Sequence, residues 1–571
     1  MLNGNADGRV ERIRNAFGNA INSGSLLVLT GNTGDLYVAD GGMTQIEYLI
    51  SKLSAEKGMP TLKYSLAKSA VAADSPNGPK ARVPSGIDAG TPVTIALDRL
   101  FAHMSGSGAP GTLLLDFAEA ILPGDDAPCG NLDSMRIVEQ IVSKSLDVGW
   151  KRMKHCLVIT ARTESIDRKL LHMPGVEHVE IALPAEAERR AAVDLMTNSR
   201  LHSLVLAQDL DTDRLASLSG GMTLDAISRM RHLSSPEKPL TLEAILEAKK
   251  TIIRRQAGDS LFIHDEKRDM DQDVAGLPQV RRYIEDRERI GTRTLRLLLA
   301  GPPGTGKTLV GVAIALRMGT VPVSFRLIKN RYVGDSERNL CRALDVINNS
   351  APCTVIIDEA DQAGMGRRAE SSAEESSAVE SSLRGILMEW LGDVGADNGI
   401  SLIALTNNPA GIDRAFLSRL DALPVLEPAS PREQAAIMDI QARRMGVTLD
   451  FEGCVRAFSD TGNRVFSGRH IIRIFDNARI CARYNGRDDV QYDDIREAVG
   501  DALYGFGPKE EYQALRAIEH TGFAKYLPWV AARRYFGDDA AAPPAYIRPY
   551  INNDGTIDMD GLGKRIKELE P

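Results

Sequence analysis

The run Leu297-Leu298-Leu299-Ala300 enters Gly301-Pro302-Pro303-Gly304-Thr305-Gly306-Lys307-Thr308 and leaves through an apolar periodic stretch that begins at Leu309. A strand, a glycine-rich turn and a helix in that succession leave little freedom of fold. Glycines let the backbone close around an anion, and the exposed N–H groups and positive end of the following helix then point at it. The anion this spacing suits is a nucleoside triphosphate. Lys307 reaches the β- and γ-phosphates, and the Thr308 hydroxyl takes a place on Mg²⁺.

Short β-rich runs alternate with amphipathic helices on both sides of that loop. Strands are expected at Arg296–Ala300, Val321–Phe325, Cys353–Ile357 and Ile400–Leu405, with helices at Leu309–Met318, Ser336–Asn348 and Ser382–Leu391. This is the pattern of an α/β fold, a parallel sheet flanked by helices. Beyond Pro428 the periodicity is purely helical, which predicts an α-helical lid over 429–505. A similar order occurs earlier, in Leu26–Leu29, Thr112–Leu115 closing on Asp116, and Cys156–Thr160, followed by helical Ala185–Asn198 and Leu224–His232. The turn Thr30-Gly31-Asn32-Thr33-Gly34-Asp35 lacks the Gly-Lys-Thr ending, and its Asp35 opposes a triphosphate. The two readings are a degenerate second copy of the module and an unrelated α/β domain. Five segments result: a degenerate α/β module over 1–184, its helical lid over 185–257, the nucleotide-binding core over 258–428, the lid over 429–505, and a C-terminal extension over 506–571. Charged Lys249–Ile290 reads as a solvated linker, and the Ser/Glu/Ala-rich run Glu370–Ser382 reads as a mobile loop.

A chain of 571 residues exceeds one hydrophobic core, and several domains are expected. Net charge is −8 and aromatics are 5%. That balance gives no field for nucleic acid or anionic lipid and few rings on which bases could stack. The six cysteines are scattered without a C-x-x-C pair, against a zinc site or disulfide framework. With no membrane-length apolar run, the expectation is a cytoplasmic protein.

Val355-Ile356-Ile357-Asp358-Glu359-Ala360-Asp361 is an apolar strand ending in paired acids. Behind a phosphate loop, Asp358 belongs with the metal and Glu359 with the attacking water. Together with Val274-Ala275-Gly276-Leu277, Tyr332-Val333-Gly334-Asp335-Ser336-Glu337 and Leu405-Thr406-Asn407, these segments make the chain from about Val274 to Ala502 resemble an AAA (AAA+) ATPase module of P-loop NTPase fold. The whole chain is similar to tandem AAA proteins whose first module has lost its P-loop.

The resemblance implies ATP and Mg²⁺ as ligands. It places Gly276 and residues Gly301 to Leu309 around the nucleotide, with Thr308 and Asp358 at the metal. It implies Asn407 as the sensor of the γ-phosphate or attacking water, though an Asx turn before Pro409 also accounts for it. Arg419 matches the finger that reaches a neighbouring subunit's nucleotide; Arg414 competes for that role, and the usual second arginine is Ala422. Arg469, opening a lid helix, matches a second sensor or is a solvated helix residue. Tyr332-Val333-Gly334 matches the pore loop of ring-forming unfoldases, or Tyr332 packs into its own domain. The implied activity is Mg-dependent ATP hydrolysis in a homo-oligomer, a hexamer by resemblance, that remodels or threads a protein substrate or adaptor. The rivals are a nucleotide-switched assembly or scaffold factor without threading, and a nucleic-acid motor, which the acidic balance disfavours.

Overall fold

In the computed structural model, residues 8–570 are described except 24–25, 75–77, 89, 123–131, 163–165, 167, 174, 200–202, 293, 326–334, 363–364, 367–373, 395–397, 461, 463, 504, 537–542 and 553–554. The chain divides into two compact units, Met1–Ile245 and Leu246–Pro571.

The first unit contains β1 (Leu26–Gly31), β2 (Leu36–Ala39), β3 (Gly42–Gln45), β4 (Thr61–Ser65), β5 (Ser69–Ala72), β6 (Thr112–Leu115), β7 (Cys156–Thr160) and β8 (Val176–Ile181). All but the β2–β3 hairpin form one sheet of order β5-β4-β6-β7-β1-β8, parallel except at β5. Alternate residues of β1 serve opposite faces. Leu26 and Val28 join Leu97, Phe101 and Trp150 in one core, while Leu27 and Leu29 join Phe17, Ile50 and Leu53 in another. A strand buried on both sides has to be apolar throughout, as Leu26-Leu27-Val28-Leu29 is.

The second unit adds β9 (Leu261–Ile263), β10 (Arg296–Ala300), β11 (Val321–Phe325), β12 (Cys353–Ile357), β13 (Ile400–Thr406) and β14 (Asp421–Pro424). Its order is β14-β10-β13-β12-β11-β9, with β9 antiparallel. Read from the opposite edge, this is the succession of the first unit: an antiparallel edge strand, then the second, third, fourth, first and fifth parallel strands. Two sheets of identical order along one chain are tandem modules of one α/β fold. Helices Pro431–Met445, Phe451–Asp460, Gly468–Tyr484 and Tyr492–Asp501 gather around a core of their own, with Met438, Phe466 and Phe475 at its centre.

Two expectations need correction. The charged stretch after Lys249 is not a linker. Lys249 and Lys250 are buried in helix Leu242–Ala257, Lys249 Nζ donates to the Pro352 carbonyl at 2.8 Å, and β9 pairs with β11. Three strand residues are too few to show period two in sequence, and the charges that masked them, Asp265 to Lys267, stay exposed. The Ser/Glu/Ala run is not a loop either, because one helix spans Glu374–Asp393. Its second half is anchored by buried Leu387, Trp390 and Leu391. Ala and Glu are good helix formers, so the helix propagates back from that anchor. Among the described residues no helix is long and apolar enough to cross a membrane.

Candidate active site

Strand β10 ends at the C-terminal edge of its sheet, between β13 and β14. The turn that follows is crowded by backbone. A Cβ on Gly301 would stand 2.0 Å from the Val425 carbonyl oxygen. Val425 cannot retreat cheaply, since its N–H donates to the Ala300 carbonyl at 2.7 Å while Gly301 N–H donates to Thr406 at 3.2 Å. Gly304 faces a second neighbour: a Cβ there would meet Ser467 Oγ at 3.0 Å and Arg469 Cβ at 3.2 Å. Helix Gly468–Tyr484 is seated on the loop, with Arg469 N–H donating to the Gly304 carbonyl at 3.1 Å.

Gly306, at φ 89°, caps helix Lys307–Arg317. The first turn of that helix leaves N–H groups without intrahelical partners, at the positive end of its dipole. Lys307 is buried, and its ammonium donates to the carbonyls of Gly301 at 2.8 Å and Pro302 at 2.7 Å. Burial pulls its pKa down to about 8, opposed by the carboxylates of Asp358 and Glu427. The Thr308 hydroxyl donates to Asp358 Oδ2 at 3.0 Å, and both residues are exposed. A solvent-facing hydroxyl beside a carboxylate is a donor set that fits Mg²⁺, a hard cation that keeps some of its water. Leu309 turns inward against the core of the sheet.

Glu359 follows Asp358 at φ 48° and is exposed, its N–H donating to Asp358 Oδ1 at 2.9 Å. The ends of β12 and β13 are laced together. Thr406 Oγ1 donates to Asp361 Oδ1 at 2.7 Å, and Ala360 N–H donates to the Leu405 carbonyl at 2.9 Å. Asn407, half-buried and next after Thr406, thereby stands on the same sheet edge as Glu359. Arg469 is exposed and borders a cavity of about 100 Å³ with Pro303, Glu427 and Phe506. Gly276 and Thr305 border a larger one, about 290 Å³.

Arg419 is not brought to this loop within its own chain. It is exposed, its Nη1 donates to the Ala415 carbonyl at 2.6 Å, and it borders a different cavity, about 300 Å³, with Arg287, Arg296 and Asp421. Arg414 is likewise exposed. Tyr332, Val333 and Gly334 lie outside the described residues. Sequence reasoning missed Glu427, only 5% exposed, whose carboxyl burial pushes up to about 7 and which accepts from the Tyr546 hydroxyl at 3.5 Å. The signal was one acid ending the apolar run Leu423-Pro424-Val425-Leu426.

The corresponding edge of the first unit has the same scaffold and none of the same groups. After β1 the chain forms the β2–β3 hairpin, with no helix directly behind the turn. Asp35 is fully buried, 2.8 Å from Arg9 Nη1, so it serves an internal ion pair. Asp116 ends β6 as Asp358 ends β12, but it is buried and faces Lys63 at 3.2 Å. Phe117, at φ 57°, stands where Glu359 stands, and buried Ala161 follows β7 where Asn407 follows β13. Arg162 lies over the Phe117 ring, 3.9 Å from its centroid. The positive φ persists where the acid is lost, so that strain belongs to the turn off the third strand and is not itself a sign of catalysis.

Residues 297–426 match the sequence model of the ATPase family associated with various cellular activities (AAA). The chain is 32% identical to the ATP-dependent zinc metalloprotease FtsH of Pseudothermotoga lettingae, over 45% of this chain and 43% of that protein. It is 30% identical to a 26S proteasome regulatory subunit homolog of Methanocaldococcus jannaschii, over 38% of this chain and 58% of that one. The chloroplastic FTSH 6 of Oryza sativa is 32% identical over 41% and 34% respectively. The chain thus spans less than half of these FtsH proteins, and its sequence contains no His-Glu-x-x-His segment.

Proposed function

The second unit carries an AAA ATPase module, and from that premise we propose that the protein hydrolyses ATP where two copies of it meet and uses the cycle to remodel a protein partner. The observation that carries this reading is the contact of Thr308 with Asp358 behind a loop whose Lys307 is already seated. Lys307 and the N–H groups of the loop bind and orient the phosphates. Thr308 and Asp358 would hold Mg²⁺, which supplies charge to the β- and γ-phosphate oxygens. Glu359 takes the proton of the attacking water, Asn407 positions that water or the γ-phosphate, and Arg469 reaches the phosphate from the lid. Arg419 serves a neighbouring copy, a reading supported by its distance from its own loop, and such a finger is worth ~10³–10⁵ in rate.

A ring, hexameric by resemblance, gives every loop a neighbouring Arg419. Tyr332, Val333 and Gly334 then form the pore loop, gripping an extended polypeptide by packing that tolerates any sequence. The first 257 residues act as a module without nucleotide chemistry, supported by Phe117 and Ala161 in place of an acid and an amide. The setting is the cytoplasm, and nucleic acid is not the substrate. The second reading is an assembly or scaffold factor that ATP switches slowly, favoured by the ion-paired edge of the first unit.

Glu359→Gln should bind ATP yet lose hydrolysis by ~10²–10⁴, the usual worth of a general base. Electron microscopy of that variant with ATP should show rings. Tyr332→Ala should hydrolyse ATP but fail to remodel. Normal remodelling by Tyr332→Ala ends the threading reading, and monomers that hydrolyse ATP without Arg419 end the shared site. Stimulation by DNA or RNA would favour a nucleic-acid motor instead.

A further inference from the structure

The cavity of about 290 Å³ beside the phosphate loop has walls from distant parts of the chain: Gln279 before β10, Thr305 in the loop, Ile437 in the lid, and Trp529, Ala532 and Pro544 near the C-terminus. That size lies near the lower end of ordinary small-molecule sites. The C-terminal wall is held firmly. Trp529 and Leu515 share a core with Leu426 at the end of the sheet module, and the Tyr526 ring meets Tyr283 edge-on at 5.3 Å. The Trp529 indole N–H donates to the Gly555 carbonyl at 3.2 Å, which leaves apolar ring for the cavity.

Gln279 is 1% exposed, and its Nε2 donates to the Pro424 carbonyl at 2.7 Å. A carbonyl only accepts, so this bond fixes which way the amide faces. Its Oε1 is thereby a buried acceptor, and no hydrogen bond reaches it. A buried acceptor is costly unless a donor comes to it. A nucleotide with its phosphates in the loop brings its base past Thr305 into this cavity.

We propose that helix Pro528–Phe536 and Pro544 of the C-terminal segment complete the base pocket, and that Gln279 Oε1 selects a base carrying an exocyclic amine over one carrying a carbonyl there. This rests on the reading that the loop binds ATP. Adenine offers an N–H donor to Gln279. Hypoxanthine, identical but for a carbonyl at that position, sets acceptor against acceptor. Trp529 and Ala532 cover the apolar faces of the ring, which inorganic tripolyphosphate lacks.

The test is displacement of a fluorescent ATP analogue by ATP, inosine triphosphate and tripolyphosphate, each with Mg²⁺. The full-length protein should prefer ATP to inosine triphosphate about tenfold, as one hydrogen bond to a buried group implies. Gln279→Met should shrink that preference to about threefold or less while tripolyphosphate binds as before, which also shows that the loop has folded. Ala532→Met, which fills the cavity from the C-terminal side, should weaken both nucleotides about tenfold and spare tripolyphosphate. An unchanged ATP preference in Gln279→Met, or undiminished ATP binding by Ala532→Met, overturns the proposal. Wild-type protein that binds neither ATP nor tripolyphosphate overturns the ATP reading as well, and the two failures are told apart by the wild-type curve alone.

Discussion

Replacing Arg9 by Met removes the centre of a buried ion cluster that stands after β1, where the second unit has its phosphate loop. The Arg9 side chain is 2% exposed and that of Asp35 is 0% exposed, with 2.8 Å between them. Arg9 also reaches Glu188, 12% exposed, at 2.8 Å, and the Leu36 carbonyl at 2.8 Å. Breaking a buried pair by removing one partner costs about 3–5 kcal/mol, because the remaining charge is stranded. Asp35 keeps donors from Leu36 N–H at 2.8 Å, Asp225 N–H at 2.9 Å and Asn32 Nδ2 at 3.0 Å, and Glu188 can turn to water. These contacts put the expectation at the lower end, about 3 kcal/mol. For a unit of this size that is a fall in melting temperature of roughly 6–12 °C. Hydrogen exchange of peptides covering β1 and β7 reads the loss in the first unit alone, as more than a hundredfold less protection. Arg9→Met combined with Asp35→Asn should recover about half, since no anion is then stranded. Less than about 1 kcal/mol lost in the single variant refutes the view that this edge is a structural ion pair.

Gly301→Ala sets a Cβ 2.0 Å from the Val425 carbonyl. It should destabilise the second unit by at least the ~1–3 kcal/mol of an overpacked core and abolish ATP binding; a melt and a binding curve like wild type would contradict the crowding. Burial lifts Glu427 from 4.5 to about 7, with Lys307, Tyr546 and Glu510 facing it. The folded protein therefore holds that proton more tightly than the unfolded chain, and the associated stability is present below pH 4.5 and lost as pH rises through about 7. Glu427→Gln should gain on wild type between pH 5 and 8 by up to ~3 kcal/mol, read from urea unfolding at each pH; a flat difference refutes the shift. Asp358→Asn should raise the Mg²⁺ concentration needed for ATP hydrolysis about tenfold or more, seen in Mg²⁺ titrations at saturating ATP, and an unmoved midpoint removes Asp358 from the metal.

The phosphate loop and the strand ending in Asp358 and Glu359 were legible because their chemistry is local. The spacing of glycines, Lys307 and Thr308 is fixed by how a short backbone surrounds an anion, and a strand buried on both faces has to be a continuous apolar run. The same locality exposed the missing Gly-Lys-Thr ending of the first copy. It did not reveal β9, whose three residues are too few for a period, nor the helix at Glu374, which borrows its stability from Leu387 and Trp390. Nor could sequence order show that Phe117 and Ala161 occupy the places of Glu359 and Asn407, because that equivalence exists only once both sheets share one strand order.

Sequence alone determined that this chain has one complete phosphate loop and one copy without it. Tertiary structure decided what surrounds each of them. The Glu427 carboxylate beside Lys307, the lid helix on Gly304 and the Trp529 wall of the base cavity come from residues far from the loop in sequence. No period or spacing along the chain encodes such neighbours. They meet because burying the apolar faces of the sheet, the lid and the C-terminal helices leaves these side chains one place to stand.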